Sequence, residues 1–236
     1  MNLLLLFPED FTARGQAVLS GRRHEHLSQT LKARVGDLVT VGLVGGLVGK
    51  AAVVDVCPGA TTLAPPEQLR PPPPPLPATL VVALPRPKTL RKTLQAATAL
   101  GVKRFYFIET WKVEKSYWDS PALEPEDIRE QLVLGLEQAV DTTLPTVEFR
   151  RRFKPFVEDE LPALAAGTLA LTGHPGAELE CPRDVRRDVT LAIGPEGGFT
   201  TYEVGMLERA GFAAVGLGPR ILRVEHAVTV LLGRLF

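Results

Sequence analysis

Arg70-Pro71-Pro72-Pro73-Pro74-Pro75-Leu76-Pro77 divides this chain and decides how the rest is read. Each proline removes a backbone donor and restricts the residue before it, so the run forms neither helix nor central strand. Its favoured state is polyproline II, a stiff spacer of about 20 Å. A PxxP ligand for a partner domain is the competing reading. The position of the run, between two halves that both read as folded, favours the spacer. We expect residues 1–70 as one domain, 71–77 as a linker and 78–236 as a second domain.

Working back from the spacer, residues 1–70 read mostly as β. Leu3–Phe7 is a short strand, and His24–Leu31 is a helix with Leu27 and Leu31 four residues apart on one face. Asp37–Leu43 and Leu47–Val56 are strands joined across Gly45-Gly46, a hairpin signal. A small barrel with one helix fits this order.

Forward of the spacer, strands and helices alternate. Strands are expected at Thr79–Leu84, Arg104–Ile108, Thr146–Phe149, Thr168–Thr172, Val189–Ile193 and Ala213–Leu217. Helices are expected at Thr89–Leu100, Pro125–Val140, Pro155–Ala166, Thr201–Ala210 and Glu225–Leu235. Such alternation argues for an α/β layer with a largely parallel sheet.

Composition narrows the function classes. The 236 residues are 45% hydrophobic and 23% charged, which excludes a disordered chain. Lys+Arg and Asp+Glu balance at 27 each, which excludes a polycation but leaves room for a local basic face. The longest apolar run, Leu3–Phe7, is too short to span a bilayer and lacks the flanks of a signal peptide. A cytoplasmic protein is expected. Cys57 and Cys181 make neither a disulfide framework nor a zinc motif, and both read as small core hydrophobes. His24 and His26 lie two apart, on different faces of a helix, and do not make a chelate; no metal site is expected.

Ligands of open α/β sheets bind beyond the carboxyl ends of strands. Three such ends crowd the last third of the chain: Leu171-Thr172-Gly173-His174, Ile193-Gly194-Pro195-Glu196-Gly197-Gly198-Phe199, and Leu217-Gly218-Pro219-Arg220-Ile221-Leu222-Arg223. In the second, glycines let a ligand approach the backbone while Pro195 stiffens the loop. Thr200 and Glu203 then make a Thr-x-x-Glu capping box for the next helix. Ordinary capping accounts for Thr200 and Glu203 but not for Pro195-Glu196 held between glycines. The pattern is neither GxGxxG nor a P-loop, which disfavours a nucleotide held by its phosphates. In the third loop two readings stand. Arg223 and Glu225 either pair at a helix start, or Arg223 contacts a phosphate or base of a substrate. Basic clusters at Arg22-Arg23, Lys88 with Arg91-Lys92, and elsewhere are compatible with an RNA footprint.

At these loops the chain resembles a known family. Ile193–Phe199, then Glu203, then Leu217-Gly218-x-Arg220-Ile221-Leu222-Arg223-x-Glu225-x-Ala227 is similar to the ribosomal RNA small-subunit uridine-N3 methyltransferases of the SPOUT superfamily. The resemblance implies a small PUA-like β-barrel domain followed by a SPOUT-type α/β domain with a C-terminal trefoil knot. It implies S-adenosylmethionine as methyl donor, 16S rRNA of the small ribosomal subunit as partner, and a homodimer. Carried over, the cofactor would be held by Leu171, Thr172, Gly173, Ile193, Gly194, Pro195, Glu196, Gly197, Gly198, Leu217, Gly218, Ile221 and Leu222. Arg223, Glu225 and His226 would carry the chemistry. Arg22, Arg23, His26, Lys88, Arg91 and Arg220 would meet RNA. His226 stands where the family usually has threonine, and the family's arginine near the amino terminus is absent. Competing expectations are a SPOUT enzyme acting on ribose 2′-OH or on tRNA, and a ribosome-assembly protein without turnover.

Overall fold

A computed structural model describes residues 1–236, which divide into two units: Met1–Pro74 with Val133–Leu144, and Pro75–Leu132 with Pro145–Phe236. The first contains β1 (Leu4–Leu6), β2 (Ala17–Ser20), α1 (Gly21–Glu25), β3 (Leu38–Leu43), β4 (Val48–Cys57), β5 (Ala60–Leu63) and β6 (Glu67–Arg70). Its sheet runs β1-β3-β4-β5-β2, with β6 paired to β4. The pairs are antiparallel except β1 with β3. A register shift at Val53/Asp55 bends the long β4, so the sheet curls into a barrel-like shape. Leu4, Leu6, Leu19, Leu27, Val41, Val53 and Leu63 fill it.

The apolar run at the amino terminus now has a reason. Leu4 and Leu6 point into this core, while Leu3 and Leu5 pack with Val48, Val133 and Leu136 on the other side. A strand buried on both faces carries no alternation.

The expected helix over His24–Leu31 is modified. α1 begins earlier, and His26–Thr30 forms a π-turn in which the Leu31 amide donates to the His26 carbonyl at 2.9 Å. The wider turn rotates Leu31 off the buried face: Leu27 is buried, Leu31 is 53% exposed. Cys57 is likewise exposed at the end of β4, against expectation, with its thiol on the Asp55 carboxylate. Cys181 is buried, and burial pushes its thiol pKa up.

The second unit contains β7 (Ala78–Ala83), α2 (Pro87–Ala99), β8 (Arg104–Ile108), α3 (Pro125–Ala139, whose last residues belong to the first unit), and β9 (Thr146–Arg150). There follow α4 (Phe153–Pro155), α5 (Leu161–Ala165), β10 (Leu169–Gly173), β11 (Leu179–Glu180), β12 (Val189–Ile193), α6 (Thr201–Arg209), β13 (Ala213–Gly216) and α7 (Val224–Leu235). The sheet order is β11-β13-β10-β12-β7-β8-β9, and every pair is parallel. β7 and β12 are buried at every position, as a sheet covered on both faces requires. α2 packs on α7. Leu90, Leu94 and Ala97 are buried along α2, and Val224, Val228, Leu231, Leu232 and Leu235 along α7.

The expected helix at Pro155–Ala166 is broken by a π-turn over Phe156–Glu160, after which α5 restarts. Pro162 lacks the amide that would continue the first helix, and it sits in the opening turn of the second. No helix of the chain is long and apolar enough to cross a membrane.

Candidate functional site

Sheet order explains why the three loops meet. β13, β10 and β12 are neighbours, so their carboxyl ends, Gly216, Gly173 and Ile193, lie side by side on one rim. The rim is also where the strand order switches. The chain runs outward from β7 through β8 to β9, then returns to build β10, β12 and β13 on the other side.

The loop after β12 is held tightly. A Cβ on Gly194 would sit 2.8 Å from the Phe199 amide nitrogen, so only glycine permits this fold-back. Gly198 has a φ of +68°, in the left-handed region. The Glu196 carboxylate accepts from the Arg86 amide at 3.0 Å, and the Lys112 ammonium donates to the Gly197 carbonyl at 2.7 Å. The expected capping box is present at the start of α6: the Glu203 amide donates to Thr200 Oγ1 at 3.2 Å and the Thr200 amide to Glu203 Oε2 at 2.7 Å. Glu203 is only 3% exposed, and its second oxygen accepts from the Trp111 amide at 2.7 Å.

Two adjoining cavities open on this rim, of about 290 Å³ and about 60 Å³. Gly173, Leu222 and Ala227 line both. The larger also takes Ile193 through Phe199 and Ile221; the smaller takes Leu217, Gly218 and Arg220. Thus the glycine loop and the loop after β13 face one space. Leu171 and Thr172 do not reach it; β10 continues to Gly173, leaving both inside the strand. His174 and Phe199, which belong to the strand-end loops singled out in the sequence, line it as well, as do Pro175 and Val224, which were not assigned a role there. Val224 lies between Arg223 and Glu225, and Pro175 lies two residues past Gly173, which is the signal available. His174 Nδ1 is buried there without a hydrogen-bond partner.

A third cavity, of about 350 Å³, shares Glu196 with the first. Arg86, Lys88, Thr89, Lys92, Arg223 and Glu225 complete its lining. Four cations face two carboxylates, so the pocket favours an anion. Arg223 is the N-cap of α7 and is exposed, without a side-chain cap bond. Glu225 is 7% exposed, with Lys92 at 3.5 Å. A bond to Tyr117 Oη at 3.2 Å raises the Arg86 pKa. Arg86, the N-cap of α2, lies just past the carboxyl end of β7, where the strand-end rule also points, and Lys92 follows in the second turn of α2.

The other expected residues fall elsewhere. His226 is exposed on α7 and lines none of these three cavities. Arg91 forms a two-bond pair with Asp127 at 2.9 Å. In the first unit, Arg22 pairs with Glu137 at 2.8 Å. Arg23 donates to both Asp10 oxygens and to the Leu5 carbonyl, which leaves it a structural role in the barrel. His26 Nε2 is buried and unpartnered.

With this geometry in place, comparison with known proteins is direct. The model of the RNA methyltransferase domain family matches residues 72–235. Ribosomal RNA small subunit methyltransferase E of Treponema pallidum is 32% identical over 235 residues, covering 96% of this chain and 87% of that protein. The protein of the same name from Synechocystis sp. is 29% identical, covering 98% and 76%. Among solved structures, a ribosomal RNA small subunit methyltransferase E from Neisseria gonorrhoeae, bound to S-adenosyl methionine, superposes with a TM-score of 0.73 at 22% identity, covering 98% and 95%. That likeness bears on the fold: a barrel-like sheet and a parallel α/β sheet in one chain.

Proposed function

The chain belongs to the ribosomal RNA small subunit methyltransferase E family, and on that premise we propose that it transfers a methyl group from S-adenosylmethionine to N3 of a uridine in 16S rRNA. One observation carries the assignment to a site: the Gly194–Gly198 loop and the Leu217–Leu222 loop line one space, beside a cationic pocket holding Arg223 and Glu225.

The residues present fit the cofactor. Gly194 permits a fold-back that any Cβ would block, backbone groups of Gly173 and the Ile193–Gly198 loop face the space, and His174 Nδ1 waits there unpartnered. Ile193 and Leu222 offer apolar walls to an adenine ring. When bound, S-adenosylmethionine supplies an electrophilic methyl group on sulfur. Uracil N3 carries a proton and is a poor nucleophile until that proton leaves. Glu225 is the buried carboxylate of the adjoining pocket and takes that proton. Arg223 donates to the uracil oxygen or to the nucleotide phosphate, stabilising the negative charge that develops. Lys88 and Lys92 add to the anion field. His226 points away from the pocket, and we assign it no step.

The remaining parts of the reading rest on family likeness. The barrel-like unit is a PUA-like RNA-binding domain, and Lys88 and Arg220 add cationic contacts. The loops at the β13–β10–β12 rim form a trefoil knot. The protein is a cytoplasmic homodimer, and the exposed Thr229 and Val230 on α7 give a second copy a face to pack on.

The test uses purified protein, labelled S-adenosylmethionine and small ribosomal subunits lacking the modification, with mass spectrometry of the RNA nucleosides. N3-methyluridine at one position is expected. Label in a ribose or in another base would redirect the substrate assignment. No label, with cofactor bound, would favour an assembly role.

A further inference from the structure

Trp111 is the most exposed large apolar side chain of the protein, at 86%, and Tyr202 nearby is 59% exposed. Both line a cleft of about 500 Å³ whose other walls are Phe153, Lys154, Thr200 and Glu203. Exposed aromatic surface of this kind marks contact sites. The backbone beneath it is fixed. The Trp111 amide is held by Glu203, and the next residue, Lys112, is bonded to the Gly197 carbonyl. Phe153 packs against Phe199 with ring centroids 6.3 Å apart. The indole therefore projects from a seat tied at one point to α6 and at another to the glycine loop.

Charge identifies the occupant. The one carboxylate in the lining, Glu203, has both oxygens engaged by Trp111 and Thr200. Lys112 is exposed and bonded to a neutral carbonyl, and Lys154 is exposed, with Glu158 at 3.8 Å along its helix. Aromatic faces beside exposed lysines suit a nucleic-acid strand: bases stack on the rings and phosphates meet the lysines. An apolar protein partner would have to desolvate the two lysines.

We infer that Trp111 and Tyr202 form a stacking platform for an unpaired base of single-stranded RNA. On the methyltransferase reading above, this base flanks the target nucleotide and anchors the strand while the target enters the site.

The experiment measures binding of a short oligouridylate to the full-length protein, to Trp111→Ala, Trp111→Phe and Tyr202→Ala. Trp111→Ala is expected to weaken binding roughly tenfold or more, and Trp111→Phe much less. In a Trp118→Phe background, oligouridylate should quench the remaining indole emission. S-adenosylmethionine affinity, read by calorimetry, should stay unchanged in Trp111→Ala. Equal RNA affinity across the series would overturn the proposal, as would failure of the native protein to bind the oligouridylate. A changed sedimentation coefficient in Trp111→Ala at unchanged RNA affinity would replace it with a contact between copies. Methyl transfer to small subunits by the native protein tests the enzymatic reading separately, so the two can fail independently.

Discussion

Arg223 and Glu225 face one cavity from the first turn of α7, yet their proposed tasks differ and separate experimentally. Arg223→Ala removes a charge-assisted donor aimed at developing negative charge. Turnover is expected to fall about a hundredfold or more, with S-adenosylmethionine affinity preserved. Loss of cofactor binding in calorimetry would instead move Arg223 into the cofactor site. Glu225→Gln keeps the shape of the side chain and removes its basicity. A fall in kcat of roughly 10²–10⁴ with little change in KM is expected. Because Glu225 also neighbours Lys92 at 3.5 Å, Lys92→Met serves as the comparison. A base role predicts a much smaller kcat effect there; equal effects would make the pair a structural unit. His226 illustrates what residue identity leaves open. Its neighbours in sequence enter the pocket, but a helix turns about 100° per residue, and the imidazole faces solvent.

At the scale of elements, the candidate site rests on a loop and the helix that follows it. A methyl group on Gly194 would meet a backbone nitrogen at 2.8 Å, and backbone cannot move aside as a side-chain end can. Gly194→Ala should therefore open the loop and weaken S-adenosylmethionine binding at least about tenfold, a change of roughly 1.4 kcal/mol; unchanged affinity in calorimetry would show that the fold-back is not part of the cofactor seat. Thr200→Ala deletes one half of a capping box and should destabilise the protein by about 1 kcal/mol, read from denaturant midpoints at constant m. This capping box, the glycine loop and the long periodic helices were all legible in the sequence, because each is specified by residues close to one another. The π-turns at His26–Thr30 and Phe156–Glu160 were not, since they shift hydrogen bonds by one residue without changing the hydrophobic period enough to see. Nor were β6 and β11, whose residues are all exposed and so carry no alternation. The convergence of three strand ends was half legible. The loops were visible, but their adjacency depends on strand order, which long-range pairing decides.

The whole molecule departs from a simple division at the proline run. Val133–Leu144 lies far beyond the spacer in sequence but belongs to the barrel-like unit. Glu137 accepts the Asn2 and Leu3 amides on its carbonyl and Arg22 on its carboxylate. Asp141 Oδ1 accepts from the Thr142 amide, and Thr142 Oγ1 donates to the Gly46 carbonyl, gripping the β3–β4 hairpin. Leu3, Leu5 and Val48 are buried together with Val133 and Leu136. A fragment ending at Pro74 would expose those three side chains. Each loses about 1.5–3 kcal/mol on exposure, so the sum reaches roughly 5–9 kcal/mol. A core of this size in a chain below about 70–80 residues supplies only about 3–5 kcal/mol. The fragment 1–74 is therefore expected to lack a cooperative unfolding transition. Within the full chain, Leu136→Ala should cost about 2–5 kcal/mol. Urea unfolding followed by circular dichroism checks both. A sharp, reversible transition in the isolated fragment would show that the barrel core suffices by itself. Its absence, together with a lowered midpoint for Leu136→Ala, would show that Val133–Leu144, distant in sequence, gives the barrel-like unit a wall it cannot fold without.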